Sequence, residues 1–255
     1  MSLNKNIQEL KKNGITFLTN QLSERKCNQI KNKLNKILKK LKLKKSHNIM
    51  QGSQFIPNAF RHDISLMDLI YNKKLDKIFK TLLDEHYILI DSTAINRKKD
   101  TSKRLKKDTG TSWHTDAAYL KNKRIKKGIM YLVIYMFEDF TKNTSSTLFI
   151  PKSFLKENKP KRYYNYKSRT ILGKKGTIAI LDAAMWHRSG KSSDNSRWSM
   201  FNLYGPWFHK PYYNYYEMLK DKTNINIPKK IKKLLHFNSM PPKNDDIRTT
   251  IMTKL

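Results

Sequence analysis

His114, Asp116 and His187 offer two imidazoles and a carboxylate, the donor types that hold a first-row transition metal. His114 and Asp116 stand two residues apart in Trp113-His114-Thr115-Asp116. Side chains at i and i+2 of a β-strand share a face, so this spacing predicts that both groups enter one space. His187, in Trp186-His187-Arg188-Ser189-Gly190, can reach the same space from another strand of a closed sheet. Two histidines and one carboxylate on one face of an ion leave its opposite positions open, an arrangement that suits non-haem Fe(II). The His-x-Asp pair alone is a weak signal. With 7 histidines and 20 acidic residues in the chain, one such pair arises readily by chance.

What strengthens it is Arg197, ten residues beyond His187. The polar stretch from Ser189 to Ser196 reads as a hairpin loop, which makes Arg197 open the antiparallel neighbour of the strand end bearing His187. A guanidinium presents a rigid fork of donors that grips a carboxylate at two points. A metal triad backed by such an arginine is what binding of 2-oxoglutarate requires.

These residues need a scaffold. Ser23 is a suitable N-cap with Glu24 in the first turn, and Ile30, Leu34, Ile37, Leu38 and Leu41 follow at helical spacing. A second helix is predicted over about Leu66 to Leu83. Strands are expected over Tyr87–Ile95, Ile129–Phe137, Thr147–Ile150, Thr177–Asp182 and Trp198–Tyr204. Short strands with turn signals between them predict a mainly β chain with flanking α-helices around a sandwich or jelly roll. We expect a single domain over 1–255: a helical part to about 85, a jelly-roll core over about 86–210 and a basic C-terminal extension over about 211–255. In that extension Pro228 to Leu235 reads as a short helix. The aromatic run from Trp207 to Tyr216 reads as a cover for the open end of the barrel. Asp139 and Asp182, at strand ends, read as turn builders rather than ligands. His47, His62, His86, His209 and His236 lack a carboxylate or histidine at ligand spacing.

Lysine and arginine number 53 against 20 acidic residues, a net charge of +33. Such an excess can neutralise phosphates. Here it is spread from Lys5 to Lys254, is mostly lysine, and accompanies no helix-turn-helix, zinc-finger or RNA-binding signature. Nucleic acid is therefore not expected as a partner, and the basic field favours an anionic small molecule or an acidic surface. Two basic stretches, Arg97 to Lys107 and Lys121 to Lys127, flank the metal motif and read as solvated loops or as a lid that attracts such a substrate. Cys27 is the single cysteine, which rules out an internal disulfide. The first residues lack the apolar core of a secretory signal, and the longest apolar stretch is too short to span a bilayer as a helix. A cytoplasmic protein without a membrane span is expected.

Five ordered blocks carry a family likeness: Leu10 to Phe17 followed by Leu22-Ser23-Glu24; Trp113 to Asp116; Tyr135 to Asn143 with Thr147 to Ser153; Gly176 to Asp182 leading to His187; and Arg197 through Tyr204 to Trp207. In these the chain resembles the phytanoyl-CoA dioxygenase-like branch of the Fe(II)/2-oxoglutarate oxygenases. Thr144 stands where the family often has glycine, and Pro151-Lys152-Ser153-Phe154 where it often has Pro-Gly-Ser-His. The resemblance implies a double-stranded β-helix (jelly-roll, cupin-like) core. It implies Fe(II) held by His114, Asp116 and His187, with 2-oxoglutarate and O2 as co-substrates. Arg197 and Ser189 would then hold the far carboxylate, and Asn96 and Trp113 would face the cavity. The implied outcome is hydroxylation of an unactivated C–H in a small metabolite, for which the basic field allows an anion, with release of succinate and CO2; the retained Asp116 favours that over halogenation. Two other readings stay open from the residues alone: a cupin-like metal-binding isomerase or sugar-binding module, and a basic nucleic-acid-binding protein.

Overall fold

A computed structural model describes residues 2–41, 49–50, 53–97, 112–117, 119–120, 123–124, 128–190, 197–220 and 226–237. Helix α1 (Leu3–Asn13) starts at Ser2, whose side chain accepts the Lys5 N–H, and stops at Gly14 in the left-handed conformation. Strand β1 (Ile15–Leu18) follows. Helix α2 (Glu24–Lys40) begins at the expected N-cap, Ser23 Oγ accepting from Lys26 N, and buries Cys27, Ile30, Leu34 and Ile37. The helix expected over Leu66 to Leu83 is instead two pieces: a 3-10 segment (Ile64–Leu69) and α3 (Lys73–Leu82). Between them Asn72 adopts an extended conformation, and its side chain accepts from Lys74 and Leu75 N–H. An N-cap thus restarts the chain where apolar periodicity ran on unbroken.

The remaining elements are β2 (Ile49–Met50), β3 (Ser53–Pro57), β4 (Ile88–Arg97), β5 (Tyr119–Leu120), β6 (Lys123–Arg124), β7 (Tyr131–Met136), β8 (Thr147–Phe149), β9 (Arg169–Thr170), β10 (Ile178–Asp182), β11 (His187–Ser189), β12 (Arg197–Gly205), α4 (Tyr215–Leu219) and α5 (Lys229–Leu234). One antiparallel sheet has the order β1-β10-β7-β12-β4-β3-β2, and a smaller one the order β11-β8-β9. β5 and β6 pair by themselves. Ile134, Ala179 and Leu203 of the large sheet share one apolar cluster with Phe149 of the small sheet. On the opposite face, Val133, Met200 and Tyr204 pack with Leu34, Ile78 and Phe79 of the helices. This is the expected mainly β, double-stranded β-helix core with helices on its outer face. Among the described residues no helix is long and apolar enough to cross a membrane.

One glycine fastens α2 to the sheet. The Gly176 carbonyl accepts from Gln21 N and Leu22 N at 2.8 and 3.2 Å. Its φ is +83°, and a Cβ there would lie 2.1 Å from the Leu22 carbonyl oxygen. Left-handed strain and a backbone clash act together in Gly176→Ala, so we expect it to lower unfolding free energy by about 3–5 kcal/mol. Urea titration of variant and parent measures the difference.

Candidate metal centre and its cavity

The three predicted donors converge. One ligand atom from each of His114, Asp116 and His187 lies within 4.8 Å of the others. His187 Nε2 is 3.5 Å from Asp116 Oδ2, and the imidazole centroids are 4.4 Å apart. What brings them together differs from the expected strand alternation. His114 forms an isolated antiparallel bridge with His187, exchanging N–H···O bonds of 3.1 and 2.9 Å. The chain then bends, and Asp116 N and Ala117 N both donate to Ala183 O at 3.0 Å. The carboxylate is therefore aimed by the turn after β10 and the histidines by their shared bridge.

Both imidazoles are oriented from behind. His114 Nδ1 lies 2.8 Å from Ser112 O and His187 Nδ1 lies 2.9 Å from Met185 O. A carbonyl only accepts, so each Nδ1 carries the proton and each Nε2 lone pair is left for an ion. Burial, and next the His187 ring, hold His114 below the ordinary imidazole value, which keeps it in the neutral, ligating form. The donor set fits Fe(II): two neutral nitrogens and one carboxylate oxygen, joined by no further His, Cys, Asp or Glu among the described residues.

The ligand atoms open on a cavity of about 430 Å³ whose wall includes one face of β4: Asp91, Thr93, Ile95 and Arg97. An irregularity in β4 sets that face. Leu203 of β12 pairs with Asp91 but the next residue, Tyr204, pairs with Leu89, so Ile90 is an extra residue. A bulge of this kind re-aims the side chains beyond it. Ile88 and Ile90 face the inter-sheet core, and past the bulge the odd-numbered residues turn inward. Strand rise places Asp91 and Arg97 roughly 20 Å apart, at opposite ends of the cavity. Burial raises the Asp91 carboxyl to about 6, with Asp116 adding to the effect.

Arg97 and Arg197 stand opposite each other on β4 and β12. Arg97 lines the cavity, donating from Nη1 to Ser53 Oγ at 2.8 Å and from Nη2 to Ser189 Oγ. Arg197 lies deeper, 1% exposed, its Nε donating to Thr144 O at 2.7 Å and its Nη2 to Ser145 O at 3.0 Å. Its guanidinium carbon sits 3.7 Å from the Phe140 ring centroid, and Nη1 has no hydrogen-bond partner. Burial pushes Arg97 down to about 10 and Arg197 to about 9, Arg97 being the second cause for Arg197. Neither guanidinium makes an ion pair among the described residues, so two desolvated positive charges wait beside the metal centre.

Ser189 lines the cavity. Asn96 and Trp113, expected there, face elsewhere. Asn96 alternates to the opposite face of β4 and donates to Gln54 Oε1 at 3.1 Å. Trp113 is buried with Ile150 and Trp186, its Nε1 donating to Tyr164 O at 3.0 Å. Asp139 and Asp182 are turn builders: Asp139 accepts from Lys175 N, and Asp182 from Gly128 N and Ala184 N. His62, His86, His209 and His236 lie outside the metal cluster. The cavity wall also holds Asp91, for which the sequence offered no role, Tyr212, from the aromatic run read as a cover for the barrel's open end, and Arg97. Arg97 had been grouped with the basic stretch after it, and extending the alternation of β4 by two residues would have found it. The other residues of that stretch up to Lys107, most of Lys121 to Lys127, the turn 191–196 and His47 lie outside the described residues.

Comparison with known proteins bears on the fold and the family. Uncharacterized protein Rv1501 of Mycobacterium tuberculosis is 26% identical over 127 residues, covering 48% of this chain and 46% of its own. The chain thus spans about half the length of that relative. Among solved structures, HygX from Streptomyces hygroscopicus with nickel and 2-oxoglutarate bound superimposes with a TM-score of 0.66 at 12% identity, covering 82% of this chain and 89% of that one. The epimerase SnoN, in complex with Fe3+ and alpha ketoglutarate, gives 0.60 at 13% identity over 80% and 83%. The carbocyclase SnoK gives 0.63 at 12% identity over 81% and 84%. At such identities the likeness is one of fold. The family profile for phytanoyl-CoA dioxygenase (PhyH) matches residues 10–199, a span that includes both histidines, Asp116 and Arg197. The chain belongs to the phytanoyl-CoA dioxygenase family.

Proposed function

We propose that this chain is an Fe(II)- and 2-oxoglutarate-dependent oxygenase that hydroxylates an unactivated C–H bond of a small molecule. The observation that carries the reading is the convergence of three free ligand atoms on a cavity that also presents a desolvated guanidinium and a serine hydroxyl. His114, Asp116 and His187 would hold the iron through two Nε2 atoms and a carboxylate oxygen. Bound Fe(II), with 2-oxoglutarate and O2, supplies the oxidising power and releases succinate and CO2. Fold neighbours with 2-oxoglutarate bound support that cofactor set.

The protein's own groups bind and orient. Arg97 and Ser189, already joined by a hydrogen bond, form the edge that meets the distal carboxylate of 2-oxoglutarate. Arg197 stands behind them, adds positive potential and anchors the Thr144–Ser145 turn. Ile95, Leu132, Phe201 and Leu203 make the wall apolar, which excludes water and strengthens every charge interaction inside. A cupin-like isomerase or sugar-binding module has no use for a buried guanidinium at one end of its cavity.

The test is direct. Under anaerobic conditions, protein loaded with Fe(II) should develop a visible charge-transfer absorption when 2-oxoglutarate is added, saturating at one equivalent. Protein that stays colourless while binding Fe(II) overturns the assignment. Mass spectrometry of a metabolite extract then seeks the compound that gains one oxygen.

A further inference from the structure

The end of the cavity away from Arg97 holds a carboxylate with no basic partner among the described residues. Asp91 makes no salt bridge among the described residues; its contacts are with neutral donors of its own strand, Thr93 Oγ1 at 3.2 Å and the Ser92 N–H. Basic residues outnumber acidic ones 53 to 20, and the carboxylates of Glu24, Asp63, Asp68, Asp76, Glu138, Asp139 and Glu217 pair with a lysine, whereas Asp91, which lines the cavity, pairs with none among the described residues. A carboxylate drawn from water into a wall with Leu132, Phe201 and Leu203 needs a compensating charge, and no described residue supplies it.

The backbone is built to put Asp91 there. The bulge at Ile90 turns Asp91 inward and frees the Ile90 carbonyl from the ladder. That carbonyl accepts from Tyr212 N at 3.1 Å and from Tyr215 Oη at 3.2 Å. One irregularity therefore aims the carboxylate and also docks the segment that brings Tyr212 to the same wall. The negative field of Asp91 reaches the hydroxyls of both Tyr212 and Tyr213. A carboxylate in a cavity wall that also holds the aromatic rings of Tyr212 and Phe201 is the surrounding that an ammonium group prefers, through ion pairing and cation–π attraction.

We infer that this end of the cavity binds a protonated amine, so that the prime substrate is an amine-bearing small molecule with Asp91 as its counterion and Tyr212 and Phe201 as its aromatic walls. The inference rests on the oxygenase reading for calling the ligand a substrate. It replaces the anionic metabolite expected from net charge, because the field of distant surface lysines is screened within about 8 Å at physiological salt whereas Asp91 acts at contact. An anion is accommodated at the other end, by Arg97.

The test uses the full chain and three probes of equal length: hexylammonium, hexanol and hexanoate. Saturation-transfer NMR titrations are run on protein loaded with Ni(II) and 2-oxoglutarate and on protein with neither. Hexylammonium should bind at least about tenfold more tightly than hexanol in both states, and hexanoate should be weakest in the protein whose Arg97 is taken up by 2-oxoglutarate. Asp91→Asn should erase the preference for the cation. Tyr212→Leu should weaken hexylammonium about threefold or more while leaving hexanol little changed. Tyr212 is 59% exposed, so removing its ring leaves the core intact. No preference in the parent protein, or a preference undiminished in Asp91→Asn, overturns the proposal whether or not that variant is stable, since the parent alone gives the first result. Failure to take up 2-oxoglutarate sinks the oxygenase reading, whereas uptake without ammonium preference sinks only this inference.

Discussion

Replacing His187 with alanine should abolish succinate formation from 2-oxoglutarate and weaken Fe(II) binding by more than about a hundredfold. Changes in groups that merely orient a metal ligand cost ten- to a hundredfold, and loss of a ligand exceeds that. The variant should still fold. The bridge between β11 and the His114 segment is made by backbone groups, His114 N to His187 O and His187 N to His114 O, and survives removal of the imidazole. The Met185 carbonyl loses its Nδ1 donor, a cost of about 1–3 kcal/mol. Fe(II) titration, thermal unfolding and a succinate assay on the same sample separate these effects. Parent protein with Fe(II), ascorbate and O2 should release succinate slowly even without a prime substrate. A His187→Ala protein that matches the parent would show that the observed turnover does not come from this centre.

How far the sequence carried depends on what each residue had to signal. β7 and β10 were legible because every residue from Tyr131 to Met136 and from Ile178 to Asp182 is buried, and such runs are strands on composition alone. α2 was legible from its cap and its apolar stripe. The convergence of His114, Asp116 and His187 was legible as a set of donor types, yet its geometric cause was not. Asp116 is placed by a turn that binds Ala183, and nothing in Trp113-His114-Thr115-Asp116 announces a bend rather than a strand. The break at Asn72 was hidden because apolar residues on both sides keep helical spacing across it. The bulge at Ile90 was hidden for a deeper reason. Which residue of β4 is extra depends on its pairing with β12, a contact more than a hundred residues away, so the inward turn of Asp91 exists only in the folded sheet. Asn96 and Trp113 were misplaced by the same limit: a residue's place in the sequence does not say which face it occupies once a bulge or a bend has shifted the alternation.

The two arginines should separate cleanly. Arg97→Met is expected to raise the 2-oxoglutarate dissociation constant of Ni(II)-loaded protein by about 10- to 150-fold, since a hydrogen bond to a charged group contributes about 1.5–3 kcal/mol. Ni(II) affinity should not fall, because Arg97 acts on His114 only through its positive charge, whose loss favours a bound cation. Stability should change little: the variant loses bonds to two serine hydroxyls but also removes a desolvated charge that faces Arg197. Arg197→Met acts on the fold first. It leaves the Thr144 and Ser145 carbonyls without their donors and strips the cation from the Phe140 face. Two orphaned carbonyls and a lost cation–π contact amount to about 3–6 kcal/mol. In a chain of 255 residues that is a fall in Tm of roughly 6–20 °C. Calorimetric titration with 2-oxoglutarate and scanning calorimetry on each variant decide the matter. If Arg197→Met keeps its Tm and loses the keto acid while Arg97→Met binds it normally, the carboxylate reaches past the cavity wall to Arg197, and Arg97 is left to serve another anion in the same chamber.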